Sequence, residues 1–294
     1  MAAVAVWGAR LAWLAVGLLG ARAVGAALRD HDEGAAAILT VGAWTAWAVG
    51  ALALGVPSAP TLTAARVVVP GALAVAVATA IGGATAVDVL ALGGSGLLAT
   101  VLTCSAEVGR GWVQASAYGD EERLPLRPPV GYLVAAVVAW LLWVTAALIA
   151  VVSLSDGRWV PGLAAATVAA GGLALLPRRW HRLSQRWLVT VPAGLVVHDP
   201  VVLGETLMLT RRQVAALSLT RLPVRGDDAP ADLTGPAAGT GVAVALAETV
   251  TVLFSPQPAH HPQDRVLHLR SFVVAPSRPG AALAEARRRR LPVR

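Results

Sequence analysis

The first 177 residues are an almost unbroken apolar run, interrupted by single arginines and short polar turns, and the pattern changes at Pro177-Arg178-Arg179-Trp180. A bilayer offers no water to backbone N–H and C=O groups, so such a run is stable only as helices that satisfy their own backbones. A hydrocarbon core of about 30 Å takes roughly 20 apolar helical residues. Six stretches meet that length: 4–28, 35–56, 62–82, 86–104, 130–153 and 160–177. Residues 67–104 carry no strong break, yet one helix of that length would rise roughly 57 Å. Gly82-Gly83 is the expected turn of a tight hairpin there. The apolar stretch 3–28 is longer than the roughly 7–15 residues of a signal-peptide core, so it reads as a retained first helix.

Composition agrees. Hydrophobic residues make up 56% and charged residues 14%, against roughly 25% charge in soluble domains. All 24 basic residues are arginine, a usage that fits a GC-rich, actinobacterial type of bacterial genome. The single cysteine, Cys104, excludes an intramolecular disulfide and any cysteine-based metal cluster. Residues 1–177 hold 8 arginines against 9 carboxylates, net −1, and residues 178–294 hold 16 against 8, net +8, which together give the chain's +7. The basic excess therefore belongs to the part outside the spans, where anionic headgroups are the nearest partner. No motif for nucleic acid accompanies it.

Arginine placement sets the expected orientation. With six spans both ends of the chain share a side. That side receives Arg66, Arg110, Arg123, Arg127 and the cluster Arg178, Arg179, Arg182 and Arg186; the other receives only Arg29 and Arg158 among Asp30, Asp32, Glu33 and Asp156. The expectation is a plasma-membrane protein with both termini cytoplasmic.

Ionisable residues inside spans are functional candidates, because burying them is costly. Arg10, Arg22 and Arg66 lie where snorkelling to an interface explains them. Asp88 suits an ion pathway, but Thr85-Ala86-Val87-Asp88 has the spacing of a helix cap, which places the carboxylate at the positive end of a helix. Gly93-Gly94-Ser95-Gly96 lies in mid-span. It reads either as a close-packing surface or as an unwound, substrate-binding break that would involve Ser95. Trp44 with Trp47, and Trp140 with Trp143, share helix faces and read as packing surfaces in preference to a ligand wall. The loop 105–129 reads as a solvated connector or a partner contact, with a short interfacial helix carrying Trp112 and Val113.

Beyond residue 177 the sixth helix is expected to run to about Ser184, with Arg178, Arg182 and Arg186 as a stripe along it. The period then becomes two. Strands are expected at 187–191, 195–199, 206–210, 214–220, 242–247, 250–254 and 266–274, with a Pro/Gly/Asp loop over 221–240 and a helix from Pro279 to about Arg290. His198-Asp199 and His260-His261 have no metal-ligand spacing, no serine has an activating context, and no cofactor site is expected. Arg287-Arg288-Arg289-Arg290 is the densest charge run and suits the inner leaflet at about 1 kcal/mol per residue.

The strand-then-helix order, and the segment RWLVTVPAGLVVHDPVVLGETLMLTRRQVAALSL with Ala216-Leu217-Ser218 at the end of its apolar strand, resemble bacterial pleckstrin-homology-like (PH-like) domains that follow membrane hairpins. The resemblance covers residues 178–294 alone and implies a lipid- or protein-binding module. The expected architecture is thus an α-helical membrane bundle of about six helices (1–177) and a small α+β, PH-like barrel or sandwich with a C-terminal helix (178–294). The expected role is a non-catalytic accessory or scaffold protein of an envelope or transport assembly. Its partners would be anionic lipids and other membrane proteins or a second copy. The alternative is a transporter or channel-like subunit using Asp88 and the 93–96 segment.

Overall fold

The computed structural model describes residues 2–226, 229–255 and 266–294 and divides into two compact units. The helical unit takes in the chain up to Trp112 and then Ala136–Trp180; the second unit takes Val113–Ala135 and His181–Arg294.

The helices are α1 (Ala2–Ala27), α2 (Glu33–Gly55), α3 (Ala59–Val68), α4 (Gly71–Ile81), α5 (Ala86–Thr103), α6 (Ala106–Gln114), α7 (Val130–Ser155) and α8 (Trp159–Ser184). Six segments are long and apolar enough to cross a membrane, with α3 and α4 together making one of them. That span was expected as a single helix, but it breaks at Val69-Pro70, because proline cannot donate the backbone hydrogen bond the helix needs there. Starts are capped as the short polar turns require. Asp32 accepts from Ala35 N at 2.9 Å, and Ser58 and Thr61 form a reciprocal capping box. Gly83, at φ +81°, makes the turn between α4 and α5, in a conformation that glycine adopts without strain. Large apolar side chains such as Leu18, Ile81 and Val160 point outward. An apolar exterior of this extent suits hydrocarbon, not water.

Small residues bring the helices together. An added Cβ at Gly96 of α5 would stand 2.9 Å from Ala72 Cβ of α4, whereas one at Gly94 would meet nothing within 4 Å, so close packing falls on Gly96, and the helix continues through the run without unwinding. Between α1 and α2 the contact is reciprocal: Trp13 Nε1 donates to Trp47 O at 2.9 Å and Trp47 Nε1 to Trp13 O at 3.0 Å. The two indoles lie over Gly50 and Gly17, where an added Cβ would meet them at 2.4 and 2.5 Å.

The second unit holds two four-stranded sheets. One is ordered β1 (Glu122–Pro125), β2 (Trp187–Val191), β3 (Gly194–His198), β4 (Leu207–Thr210), all antiparallel. The other is ordered β5 (Val214–Leu222), β7 (Gly239–Leu253), β8 (Val266–Val274), β6 (Ala231–Asp232), with β6 parallel to β8. Alternate residues such as Leu195 and Val197, Leu207 and Leu209, and Val242 and Val244 turn inward to one core. The last helix, α9 (Pro279–Arg288), adds Ala282, Leu283 and Ala286 to it.

Further expectations change. The connector 105–129 is not merely solvated: residues 122–125 pair with β2, so the second unit begins before the fifth span as well as after the sixth. Within the helical unit, Trp112 is 1% exposed and donates to Ala53 O at 3.1 Å, so it is a packed residue and not an interfacial one. The strands expected at 242–247 and 250–254 form one strand, irregular between Ala245 and Val250. The loop 221–240 contains β6 and the buried Leu233 and Thr234, while Asp227 and Asp228 lie outside the described residues. His260 and His261 lie outside them too.

Candidate functional site

The candidate residues of the spans are spent locally. Thr85 caps α5, its hydroxyl donating to Asp88 Oδ2 at 2.7 Å and accepting from Asp88 N at 3.3 Å. The same carboxylate lies 3.2 Å from Arg22 of α1. Ser95 Oγ donates to Ala91 O and Leu92 O of its own helix at 2.8 and 3.0 Å, so it offers no hydroxyl proton to a substrate. Arg10 was read as snorkelling, but its Nε donates to Leu54 O at 2.9 Å at the end of α2, satisfying a carbonyl that the helix leaves free. Arg66 Nε is buried with no hydrogen-bond partner among the described residues.

Tryptophans carry much of the polar bonding between helices. Besides the Trp13–Trp47 pair and Trp112, Trp140 Nε1 donates to Val67 O at 2.8 Å and Trp143 Nε1 to Ala169 O at 2.9 Å. Val67 O lies one turn before Pro70, where the helix ends. Each such bond satisfies a donor that hydrocarbon would leave bare.

Within this unit lies a cavity of about 320 Å³, walled by α1, α2, α3–α4, α5 and α7. Trp13, Trp44, Trp47 and Trp143 line it, together with Leu92 and Thr40. Trp44 meets Trp47 edge to face, with ring centroids 5.4 Å apart. Sequence spacing gave the shared face of Trp44 and Trp47; the void beside them depends on α7, which no local pattern announces.

In the second unit, the arginines expected to meet lipid divide into two sets. Arg186 is 1% exposed and is removed from the lipid-facing set. Its Nε and Nη2 grip Asp199 Oδ1 and Oδ2 at 2.8 and 2.6 Å, and it also donates to Arg127 O at 2.6 Å and Thr234 O at 3.1 Å. Asp199 in turn accepts from the backbone N–H groups of Val201 and Val202. This buried pair joins the ends of β2 and β3 to the segments on either side. Arg289 is likewise internal: it binds Glu285 Oε1 at 2.7 Å and Asp120 Oδ1 at 2.9 Å. Glu285 also receives Arg288 at 2.7 Å. Burial would raise the Glu285 pKa, but the hydrogen bonds from Arg288 and Arg289 outweigh it and hold the carboxyl below its ordinary value.

Arg182, Arg287 and Arg290 are exposed and make no ion pair with a described residue, and Arg178 and Arg179 of α8 are exposed as well. Arg212, Arg221, Arg225 and Arg270 share that state, although sequence reasoning did not single them out. On the outer side of β2, Trp187 stacks on His198 at 5.0 Å, Arg123 lies 5.4 Å from the Trp187 ring centre, and His198 Nδ1 meets Thr206 Oγ1 at 2.9 Å. Burial lowers the His198 pKa, with Asp199 opposing and Arg123 adding to the shift. Among the described residues no group of three His, Cys, Asp or Glu is placed to hold a metal ion.

Six apolar spans and a sheet-rich C-terminal region define a multi-pass membrane protein with a small β domain. No family model matches the chain, and neither a curated protein nor a solved structure is significantly similar to it.

Proposed function

We propose that this protein is a non-catalytic plasma-membrane accessory subunit, whose helical bundle anchors a cytoplasmic PH-like domain that binds anionic lipid headgroups or an acidic protein partner. The observation that carries this reading is the division of charge in the second unit. Its carboxylates Asp199 and Glu285 are consumed by internal pairs with Arg186, Arg288 and Arg289, while Arg182, Arg212, Arg221, Arg225, Arg270, Arg287 and Arg290 are left outward and unpaired among the described residues. Asp120, Glu205, Asp232 and Glu248 are also exposed, yet residues 178–294 carry a net charge of +8, and a surface with such an excess of outward arginines attracts anions at long range. The PH-like assignment rests on the order of two largely antiparallel sheets followed by a C-terminal helix.

Orientation with both termini in the cytoplasm follows from the arginine bias. The transporter alternative is not favoured, since Asp88 and Ser95 are satisfied within the bundle. The test is purification of the tagged full-length protein from its native membranes in mild detergent, followed by mass spectrometry. A stoichiometric partner is expected, released when Arg287 and Arg290 are changed to Gln. A chain that comes away alone, with no reproducible partner, overturns the accessory reading.

A further inference from the structure

The cavity in the helical unit has two polar groups on its α2 wall. Thr40 and Trp44 are four residues apart and share one face of the helix. Neither Thr40 Oγ1 nor Trp44 Nε1 has a hydrogen-bond partner among the described residues. Many comparable groups of this bundle are bonded, although Thr103 Oγ1 is buried without a partner and the indoles of Trp7, Trp159 and Trp180 make no hydrogen bond among the described residues. Thr45, Thr63, Thr100 and Thr167 all return their hydroxyls to a carbonyl one turn back. The indoles of Trp13, Trp47, Trp112, Trp140 and Trp143 all reach a carbonyl on a neighbouring helix. Two adjacent donors thus line an apolar cavity inside a membrane-spanning unit, Trp44 being 46% exposed, where water is scarce and an unmade hydrogen bond is costly.

Depth narrows the ligand. Thr40 lies seven residues into α2, roughly 10 Å along its axis, and Trp44 about 6 Å further. A helix of 23 residues only just exceeds a hydrocarbon core of about 30 Å, so both donors lie well inside that core. The ester carbonyls of phospholipids sit at its edge, too shallow for this pair. The walls narrow it again: four indoles suit a flat π-system, which they can meet edge-on or stacked. An apolar cavity of about 150 Å³ holds one benzene ring, so about 320 Å³ accommodates a substituted ring and the start of a chain.

We propose that this cavity binds the ring of a quinone-type lipid, a planar carbonyl-bearing ring on an apolar tail, with one ring oxygen accepting from Thr40 Oγ1 and Trp44 Nε1. The proposal concerns binding alone, involves no electron transfer, and is independent of what the β domain binds.

The test uses the full-length protein in lipid nanodiscs titrated with decylubiquinone, with tryptophan fluorescence as the readout, since quinones quench nearby indoles. Gly25 of α1 and Gly71 of α4 both line the cavity and an added Cβ meets nothing within 4 Å at either, so Gly25→Leu and Gly71→Leu are the variants chosen to fill the space from two different helices. Wild type is expected to show saturable quenching, and both filled variants only the linear loss that partition into the bilayer produces. Thr40→Val is expected to move the midpoint about 3- to 10-fold at unchanged amplitude, the scale of one lost hydrogen bond. Melting temperature and gel filtration confirm that each variant is folded; if one filled variant misfolds, the other decides. Quenching that is linear in wild type, or identical in wild type and the filled variants, overturns the proposal. So does phospholipid as the sole tightly held extract from protein whose wild-type titration matches Gly71→Leu, which would assign the cavity to an acyl chain.

Discussion

Replacing Asp199 by Asn tests the most highly connected polar centre of the β domain. The substitution keeps the size of the side chain and an oxygen for the amides of Val201 and Val202, but removes the charge opposite Arg186. Both side chains of the pair are fully buried and their shortest contact is 2.6 Å. Deleting one partner of such a pair costs about 3–5 kcal/mol, because the surviving charge stays buried without compensation. In the exchange limit set by local opening, that corresponds to amide exchange roughly 150- to 5,000-fold faster in β2, β3 and the 231–237 segment. The assay is hydrogen–deuterium exchange with mass spectrometry on the full chain in micelles, with α1 peptides as the internal reference. Arg186→Met is expected to act with similar size. The double variant should fall short of the sum of the two single losses by about 2–3 kcal/mol, since it leaves no orphaned charge. It stays below wild type because Arg127 O and Thr234 O lose a donor. An increase under tenfold for Asp199→Asn, or a double variant at the full sum, would refute the reasoning that burial of an unpaired charge is the dominant cost.

Gly50→Leu drives a side chain into the Trp13 indole and is expected to cost at least about 1–3 kcal/mol, seen as a lower melting temperature in micelles; an unchanged melt would mean α1 and α2 do not rely on this contact. Thr85→Ala should cost about 1 kcal/mol as a lost N-cap, and Asp88→Asn no more than that, because its partner Arg22 is largely exposed to the surroundings; a much larger loss at Asp88 would return it to the list of functional residues. His198, with its folded pKa lowered from the ordinary 6.5, must take up a proton unwillingly in the folded state. The domain should therefore be stable above pH 6.5 and lose stability as the pH falls from there toward the lower folded value. His198→Gln should flatten that stretch of the melting-temperature profile, and an unaltered slope would assign it to other groups.

The spans were legible because a bilayer demands continuous apolar length, which composition reveals directly. Pro70 was the one strong break left unused, and it divides the third span. The strands of 187–220 were readable from their period of two, since one face of each meets a core. What local pattern could not give was pairing at a distance. Glu122–Pro125 is too short and too charged to announce a strand, and it becomes one only because β2 presents a free edge. Arg186 looked like a member of an exposed helical stripe, yet the chain leaves α8 at Ser184 and carries it inside. The Thr85–Asp88 cap was visible in spacing, whereas the Arg22 contact needed α1 folded against α5.

The pairing of β1 with β2 also constrains how the chain threads the bilayer. Strands joined edge to edge occupy one compartment, so the 61 residues between Pro125 and Trp187 must leave and return, crossing an even number of times. Helices α7 and α8 are that round trip. The ribosome therefore releases β1 before either crossing is made, and the strand waits unpaired at the membrane surface until the hairpin has inserted and β2 emerges beside it. Insertion of the last two spans becomes a checkpoint for the β domain: a hairpin that fails to return strands one edge of the sheet on the wrong side, and the domain cannot close.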